Sequence, residues 1–272
     1  GNQIVNIQET NNDILQNLTP GTYSVEVNDQ LDCPFTIYDM VITEPPPMSI
    51  SETHSDYNGF GVSCFGETDG FIDVTVSGGT GVYTYSWSNG ATTEDLENIG
   101  AGTYTLTALD ENGCPINMEV TLDEPEDEIS INVSQSDYNS YGVSCFGAED
   151  GFIDISITGG TENYSFAWSN GATTEDLYDI GVGTYTITVT DTNNCSETST
   201  IEITEPEPLE LSETHSNYNG YGVSCFGSTN GFIDITVSGG TGNYTYSWSS
   251  GQTNEDLNDI GAGNYTLTVT DE

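Results

Sequence analysis

Six cysteines recur at two positions of a repeated sequence, and disulfide bonding is the chemistry that their spacing predicts. In each full repeat an early cysteine follows Val-Ser, and a late cysteine lies 50 residues further on, after Asn-Gly or Asn-Asn. Regular cysteine pairs without a Cys-x-x-Cys motif are typical of disulfides formed in an oxidising compartment outside the cytosol. The disulfide candidates are Cys33, Cys64, Cys114, Cys145, Cys195 and Cys225.

Two pairings of these cysteines are open. Pairing within a repeat gives Cys64–Cys114 and Cys145–Cys195. However, strands that alternate in direction would place the early turn and the late hairpin at opposite ends of one module, about 20 Å apart or more, whereas bonded Cα atoms lie about 4.4–6.8 Å apart. Pairing between neighbouring repeats instead gives Cys64–Cys195 and leaves Cys114 and Cys145 to partners outside this chain.

Acidic turns are a second candidate site, and the chemistry they suggest is calcium binding. Ca²⁺ takes about six to eight oxygen ligands, and these turns are rich in carboxylates. None has EF-hand spacing, the copy at Ser228-Thr229-Asn230 has lost its carboxylates, and Asp, Asn and Gly are also the ordinary residues of turns. Calcium is therefore the one cofactor that the sequence suggests, with candidate ligands Glu67, Asp69, Asp110, Asp150 and Asp191.

An aromatic segment precedes each early cysteine and is a third candidate site. Two aromatic residues flank Asn-Gly or Asn-Ser in each copy: Tyr57 and Phe60, Tyr138 and Tyr141, and Tyr218 and Tyr221. These rings could stack on a surface polysaccharide or pack against the neighbouring repeat, and the apolar area that they would bury favours joint packing. His54 and His215 become Gln135 in the middle copy, so no repeated histidine metal site is predicted.

The charge composition excludes several functions. The 272 residues include no lysine or arginine and 44 Asp plus Glu, for a formal net charge of -44. Without cations the chain cannot neutralise nucleic-acid phosphates or dock on an anionic membrane. It contains no apolar stretch long enough for a membrane helix, so direct membrane insertion is not expected. Carboxylate pairs carry no information in so acidic a chain, and no nucleophile elbow occurs, so the protein is not expected to be an enzyme.

Alternating apolar and polar residues predict short antiparallel strands. Residues 72–77 read Ile-Asp-Val-Thr-Val-Ser, and Gly78-Gly79 and Asn89-Gly90 have turn chemistry. Trp87 lies where the third strand of an immunoglobulin-like sandwich has its core tryptophan, and Tyr104 follows a tight corner as in a tyrosine corner. The predicted fold class is all-β, with tandem immunoglobulin-like β-sandwich modules of about 80 residues in an elongated array.

The period of the sequence predicts the domain boundaries. Trp87, Trp168 and Trp248 are separated by 81 and 80 residues, and proline clusters separate the copies. Residues 48–127 (repeat 1) and 128–207 (repeat 2) are predicted to be full repeats. Residues 1–47 match the C-terminal part of a truncated repeat through Tyr23 and Cys33, and residues 208–272 (repeat 3) match a repeat truncated before its last strand. We therefore expect the chain to be a window of a longer array.

The repeated motif supports one family resemblance. The order Val-Ser-Cys-Phe-Gly, Gly-Phe-Ile-Asp, Gly-Gly, an aromatic strand ending in Trp-Ser, and Gly-Thr-Tyr or Gly-Asn-Tyr resembles the SprB-type repeat of very large surface adhesins of gliding Bacteroidota. The resemblance covers residues 48–272 well and residues 1–47 in part, because Ile4, Val5 and Asn6 replace the tryptophan region. It implies display on the cell surface through type IX secretion and a role in adhesion or gliding.

Two functions follow as expectations from this resemblance and these residues. The first is a structural stalk or spacer whose partners are the neighbouring repeats of the same long chain, since near-identical copies need no unique active site. The alternative is that each module binds glycans through its aromatic segment.

Overall fold

The computed structural model describes residues 3–6, 14, 16–28, 31 and 33–271. All regular secondary-structure elements in this part of the chain are β-strands. None of its residues form a helix long and apolar enough to cross a membrane. The strands are β1 (Gln3–Asn6), β2 (Gly21–Asn28), β3 (Pro34–Ile42), β4 (Ser49–His54), β5 (Gly70–Ser77), β6 (Thr84–Trp87), β7 (Leu96–Ile99), β8 (Gly102–Leu109), β9 (Pro115–Leu122), β10 (Ser130–Gln135), β11 (Gly151–Thr158), β12 (Ser165–Trp168), β13 (Leu177–Ile180), β14 (Gly183–Thr190), β15 (Ser196–Ile203), β16 (Glu207–His215), β17 (Gly231–Gly240), β18 (Tyr244–Trp248), β19 (Leu257–Ile260) and β20 (Leu267–Asp271).

Repeat 1 is a sandwich of two three-stranded antiparallel sheets, with strand orders β4-β5-β7 and β6-β8-β9. Its first, second and fourth strands thus form one sheet, and its third, fifth and sixth strands form the other. Immunoglobulin-like sandwiches divide their strands in this way. Repeat 2 has the same division, with sheets β10-β11-β13 and β12-β14-β15. The all-β, immunoglobulin-like prediction is confirmed.

The core of each repeat is formed by the alternating side chains of these strands. On β5, Ile72, Val74 and Val76 are buried and the residues between them are exposed. Trp87 lies in the same core and donates its indole N–H to the Thr93 carbonyl at 3.0 Å. The corresponding indole bonds are made by Trp168 to Thr174 and by Trp248 to Asn254, each 2.9 Å.

The tyrosine corner is present in every repeat. The Tyr104 hydroxyl donates to the carbonyl of Gly100, four residues earlier, at 2.9 Å. Tyr185 and Tyr265 make the same bond at 3.0 Å to Gly181 and Gly261. Because the bond closes a corner of the chain on itself, it fixes the start of the late strand independently of neighbouring repeats.

Repeat 3 has a smaller core than the other two. In the described part of the chain its second sheet contains only β18 and β20, two strands where the second sheets of repeats 1 and 2 have three. Three of its residues are buried in a cluster, against nine in repeat 1 and eleven in repeat 2. Ile233 is accordingly only partly buried, whereas its counterparts Ile72 and Ile153 are fully buried.

The N-terminal segment forms one three-stranded sheet, β1-β2-β3. The β2-β3 hairpin is antiparallel like β8-β9, and the Tyr23 hydroxyl donates to the Thr19 carbonyl as in the other corners. In contrast, β1 pairs with β2 in parallel, whereas β6 pairs with β8 antiparallel. The segment therefore contains the late hairpin of a repeat. Its strand β1, at the edge where the other repeats have their tryptophan strand, runs in the opposite direction to that strand.

The chain divides into two packing units. One contains the described residues up to Val62 together with Gly66–Glu124. The other contains Ser63–Phe65 together with the chain from Pro125 onward. The tripeptide around the early cysteine of repeat 1 thus belongs to the second unit.

Candidate functional site

The late hairpin of repeat 1 is organised by one buried carboxylate. The Oδ1 atom of Asp110 accepts the backbone N–H groups of Asn112 at 3.0 Å and Cys114 at 2.9 Å. Its Oδ2 atom accepts the N–H and the hydroxyl of Thr80, both at 3.0 Å. These bonds, that from Cys114 first, hold the pKa of the Asp110 carboxyl below its usual value.

Asp191 has the same role in repeat 2. Its Oδ1 accepts the N–H groups of Asn193 and Cys195, each at 2.9 Å, and its Oδ2 accepts the N–H of Thr161 at 2.9 Å. Two of the predicted calcium ligands therefore have their oxygens committed to backbone donors. Each lies four residues before the late cysteine of its hairpin and accepts the backbone N–H of that cysteine.

The remaining predicted ligands lie in the turn that precedes the second strand. Glu67, Asp69 and Asp150 are exposed there. Asp150 Oδ1 accepts the N–H of Ser144 at 3.0 Å, and hydrogen bonds from Ser144 lower the pKa of the Asp150 carboxyl. In repeat 3 the amide oxygen of Asn230 accepts the N–H of Ser224 at 3.1 Å. An uncharged residue thus replaces the carboxylate, because the bond needs only an acceptor.

No metal centre is formed by these residues in the part of the chain that the structure describes. Groups of three or more His, Cys, Asp or Glu side chains close enough to hold a metal ion are absent there. Calcium binding stays a prediction of the sequence, tested below against simple ionic screening.

A disulfide joins Cys64 of repeat 1 to Cys195 of repeat 2. The Cα atoms of the two residues are 5.8 Å apart, and 131 positions separate them in sequence. Of the two pairings that the sequence leaves open, the structure contains the one between neighbouring repeats. The within-repeat pairing of these two cysteines is excluded.

The geometry of one repeat explains this outcome. Gly61 N–H donates to the Asp123 carbonyl and Gly66 N–H donates to a Glu124 carboxylate oxygen, each at 2.7 Å, so the early cysteine lies beside the end of β9. Cys114 precedes the first residue of the same strand. Eight residues of β-strand span about 26 Å, several times the separation that a disulfide allows.

Polar contacts surround the disulfide. The side-chain amide of Asn193 donates to the Ser63 carbonyl at 3.0 Å and to the Thr161 hydroxyl at 3.1 Å. The Cys195 sulfur lies 3.3 Å from the same carbonyl oxygen of Ser63. The tripeptide that contains Cys64 is therefore held by hydrogen bonds as well as by the covalent bond.

The other cysteines are exposed. Cys114, Cys145 and Cys225 form no disulfide with any residue in the described ranges, and Cys33 is exposed immediately before β3. By contrast, both bonded cysteines are half-buried. The six predicted disulfide candidates thus divide into one bonded pair and four exposed positions.

Each aromatic segment is a tight two-residue hairpin. In repeat 1, Tyr57 and Phe60 pair through both backbone hydrogen bonds, and Asn58 and Gly59 between them have φ of 53° and 96°. Positive φ at both central residues defines a type I′ turn, which Asn-Gly favours. The same pairing joins Tyr138 to Tyr141 and Tyr218 to Tyr221.

The first tyrosine of each hairpin forms a hydrogen bond within its own repeat. Tyr57 hydroxyl donates to the Asp69 carbonyl at 3.3 Å, and Tyr138 and Tyr218 make the equivalent bond at 3.2 Å. Burial, and then the charge of Asp69, raise the pKa of the Tyr57 hydroxyl. The phenol therefore stays protonated and remains a donor. The residues Tyr138, Tyr218 and Tyr221 are 37%, 39% and 74% exposed.

Two organising residues were missed by the sequence reasoning. Buried Ser55 donates its hydroxyl to the Gly61 carbonyl at 2.6 Å and accepts the N–H of Phe71 at 3.0 Å. Asp95 accepts the N–H of Val74 at 2.8 Å where β5 runs beside β7. Ser136, Ser216, Asp176 and Asp256 make the same contacts. Recurrence of Ser and Asp at fixed places in every copy was the available signal.

Comparison with known families identifies the repeat. Residues 62–92, 141–173 and 223–253 match the family model of the SprB repeat. Each match begins near an early cysteine and ends just beyond the core tryptophan. The chain therefore contains a SprB-type repeat region. No curated protein matches the sequence.

Two solved structures are similar at low identity. An amphioxus IgVJ-C2 molecule is 14% identical over 60% of this chain and 98% of that chain, with a TM-score of 0.25. A tetra-tandem repeat in the extending region of a large adhesion protein is 12% identical over 91% of this chain and 69% of that chain, with a TM-score of 0.24. At these scores the fold assignment rests on the strand order described above.

Proposed function

We propose that these SprB-type repeats form a structural spacer of a cell-surface adhesin, which extends a distal part of that protein away from the cell and so serves adhesion and gliding. The three family matches support an adhesin context. The proposal assigns the repeats a mechanical role without catalysis. Their partners are the neighbouring repeats of the same chain.

One observation carries this proposal: the polar side chains of successive repeats are used in the same way, to hold their own turns. The tyrosine corner, the indole bond and the bond from Asp95, Asp176 or Asp256 to β5 or its counterpart recur in all three repeats. A spacer requires only that the same stable unit be repeated. A ligand site particular to one copy would break this regularity.

An extracellular location is part of the proposal. The Cys64–Cys195 disulfide favours an oxidising compartment. The absence of lysine and arginine removes every site for trypsin-like proteases, an advantage for an exposed polymer. A net charge of -44 also opposes association of neighbouring chains.

Small-angle scattering of the chain in 0.15 M salt tests the spacer role. A string of modules, each about 35–40 Å long, should extend over about 120 Å or more and give a radius of gyration of about 35 Å. A single compact globule of this length would have a radius of gyration of about 19 Å, and that result would overturn the proposal.

A second candidate function is glycan binding at the aromatic hairpins. It is favoured by the exposed tyrosine rings on rigid type I′ turns, which offer apolar faces at fixed positions. A glycan array comparing the wild type with a Tyr138→Ala, Tyr218→Ala double variant tests it. Tyr178→Ala is the control, because Tyr178 is 62% exposed but lies on β13 outside the hairpins. Binding lost only in the double variant would favour this candidate; no binding by the wild type would remove it.

A further inference from the structure

The Cys64–Cys195 bond defines two complementary surfaces. The clasp loop is the tripeptide Ser63–Phe65, which presents the early cysteine and the Ser63 carbonyl. The clasp receptor is the group Thr161, Asn193 and Cys195, in which the Asn193 amide bridges the Ser63 carbonyl and the Thr161 hydroxyl. All of these contacts use neutral groups.

Repeat 1 contains a receptor with the same backbone hydrogen bonds, and no early cysteine is bonded to it in the part of the chain that the structure describes. Thr80, Asn112 and Cys114 are held on Asp110 by bonds of 2.9–3.0 Å, matching the bonds on Asp191 in repeat 2. Cys114 is exposed, whereas its counterpart Cys195 is half-buried under the loop. The backbone of the receptor therefore has the same form in a hairpin without a disulfide, although the Thr80 hydroxyl donates to Asp110 whereas the Thr161 hydroxyl accepts from Asn193.

Repeat 2 likewise contains a clasp loop, and its cysteine forms no disulfide with any described residue. Gly147 N–H donates to a Glu205 carboxylate oxygen at 2.7 Å, as Gly66 does to Glu124. Gly142 N–H donates to the Thr204 carbonyl at 2.9 Å, the counterpart of the Gly61 bond. Cys145 and Phe146 are exposed at the tip of this loop.

We propose that every repeat inserts its clasp loop into the receptor of the repeat that follows it, so that a disulfide links each neighbouring pair of repeats. Cys114 is the bonding site for the early cysteine of a preceding repeat. Cys145 and Cys225 are bonding sites for the late cysteines of following repeats. The ligand of the repeat 1 receptor is accordingly a Val-Ser-Cys-Phe loop of a SprB-type repeat. Residues 1–47 contain no such loop, and residues 208–272 contain no cysteine after Cys225.

The bond needs an external oxidant, and we assign this role to a small-molecule disulfide. The thiolate of one cysteine attacks that disulfide and releases one small thiol. The second cysteine's thiolate then attacks the mixed disulfide and releases the other. Two protein thiols thus lose two protons and two electrons in total, and the oxidant gains them as two small thiols.

The first test supplies the missing clasp loop to Cys114. Residues 1–47 are replaced by a copy of residues 129–208, which contains the whole core cluster of repeat 2. The copy ends at Pro208 and is followed directly by Met48, because Met48 corresponds to Leu209. The copy carries Val133→Ile and Tyr178→Phe at exposed positions, so that its two cysteine peptides differ in mass from the native ones. After oxidation with glutathione disulfide, a Glu-specific protease releases each cysteine on a distinguishable peptide. We expect the copy of Cys145 bonded to Cys114, the Cys64–Cys195 bond retained, and three thiols remaining among seven cysteines.

A matched variant with Cys114→Ser should leave the copy of Cys145 as a thiol while Cys64–Cys195 persists. A bond between the copy of Cys145 and the copied late cysteine would overturn the proposal. A free Cys114 thiol would also overturn the proposal, provided that tryptophan fluorescence shows the three complete repeats to be folded.

The second test addresses Cys145 separately. A copy of residues 193–208 is added after Glu272, because Glu272 corresponds to Thr192 and the addition completes repeat 3. The added cysteine should bond to Cys145, and Cys145→Ser should leave it a thiol. A bond from the added cysteine to Cys225, or a free thiol in a chain whose melting temperature has risen through the added strand, would contradict the proposal. Neither test depends on the spacer role.

Discussion

The late hairpins of repeats 1 and 2 are the same structure in two covalent states. Asp110 and Asp191 hold their hairpins with matching hydrogen bonds, yet only the hairpin of repeat 2 is joined to an early cysteine. Because the hairpin of repeat 1 keeps its form without a disulfide, the carboxylate and not the bond shapes the hairpin. The disulfide therefore adds a link between repeats to a turn that folds independently.

The largest expected effect separates the two late cysteines. Cys195→Ser removes the bond that closes 131 positions of chain, and the chain-entropy argument sets the loss in free energy of unfolding at up to about 5 kcal/mol. Cys114→Ser removes an exposed thiol and should change it by less than about 0.5 kcal/mol. Urea unfolding followed by tryptophan fluorescence measures both. Equal losses of unfolding free energy in the two variants would contradict the difference in bonding between Cys114 and Cys195.

The carboxylates should matter equally in both hairpins. Asp110→Asn or Asp191→Asn places an amide N–H₂ against backbone donors and should lower the free energy of unfolding by about 1–3 kcal/mol. Glu111→Gln, at an exposed position of the same hairpin, is the control and should cost less than about 0.5 kcal/mol. A large loss in repeat 2 alone would mean that the disulfide, and not the carboxylate, organises the turn.

The cost of Asp110→Asn should also depend on pH. Because the folded pKa of Asp110 lies below its unfolded value, its carboxylate stabilises the fold at pH values above that unfolded value, about 3.9. That stabilisation is lost as the pH falls through the folded pKa. The difference between wild type and variant should thus be constant from pH 7 to about 5 and shrink below about 4. A difference that is unchanged at pH 2.5 would contradict this role.

Salt should stabilise both repeats alike. With a net charge of -44 and no internal cations, carboxylate repulsion is uncompensated, and raising the salt from 0.01 to 0.15 M shortens the Debye length from about 30 Å to about 8 Å. We expect the melting temperature to rise by about 4–8 °C, equivalent to about 1 kcal/mol for a domain of this size. Calorimetry in NaCl and in CaCl₂ at matched ionic strength provides the measurement.

The same experiment decides the calcium prediction. A specific site at the turns of Asp69 or Asp150 would make CaCl₂ more stabilising than NaCl, and Asp150→Asn would reduce that excess. Equal effects of the two salts would leave screening alone. A melting temperature indifferent to both salts would refute the electrostatic argument.

The smallest expected effect concerns the aromatic hairpins of the two repeats. Ser140 occupies the position of Gly59 and has φ of 78°, a region that costs a residue with a Cβ atom free energy. Ser140→Gly should therefore stabilise repeat 2 by about 0.5–1 kcal/mol, and Gly59→Ser should destabilise repeat 1 by a similar amount. Nothing lies within 4 Å of a Cβ placed on Gly59, so backbone conformation alone is tested. Destabilisation by Ser140→Gly, or stabilisation by Gly59→Ser, would contradict the assignment of these hairpins to type I′ turns.

The fold could be predicted from the sequence because its signals are local. The period-two alternation at Ile72–Val76, the core tryptophan and the tyrosine corner each depend on neighbouring residues, and each is confirmed. The direction of β1 could not be predicted in this way, since strand pairing depends on contacts with a distant segment.

The site was only partly predictable. The sequence limited the cysteines to two pairings but could not choose between them, because the choice depends on which end of β9 the early loop approaches. The acidic turns were recognised, yet the commitment of Asp110 to backbone donors depends on Thr80, 30 residues away. Ser55 was missed because its importance comes from burial, which a small polar residue does not reveal in sequence.

Disulfide mapping of the unreduced chain tests the central claim most directly. Free thiols are alkylated first, and a Glu-specific protease is then used because the chain has no lysine or arginine for trypsin. The account predicts one cross-linked pair, peptide 53–67 joined to peptide 176–197, with Cys114 and Cys145 alkylated. Peptide 53–67 joined to peptide 112–119, with Cys145 joined to Cys195, would contradict it.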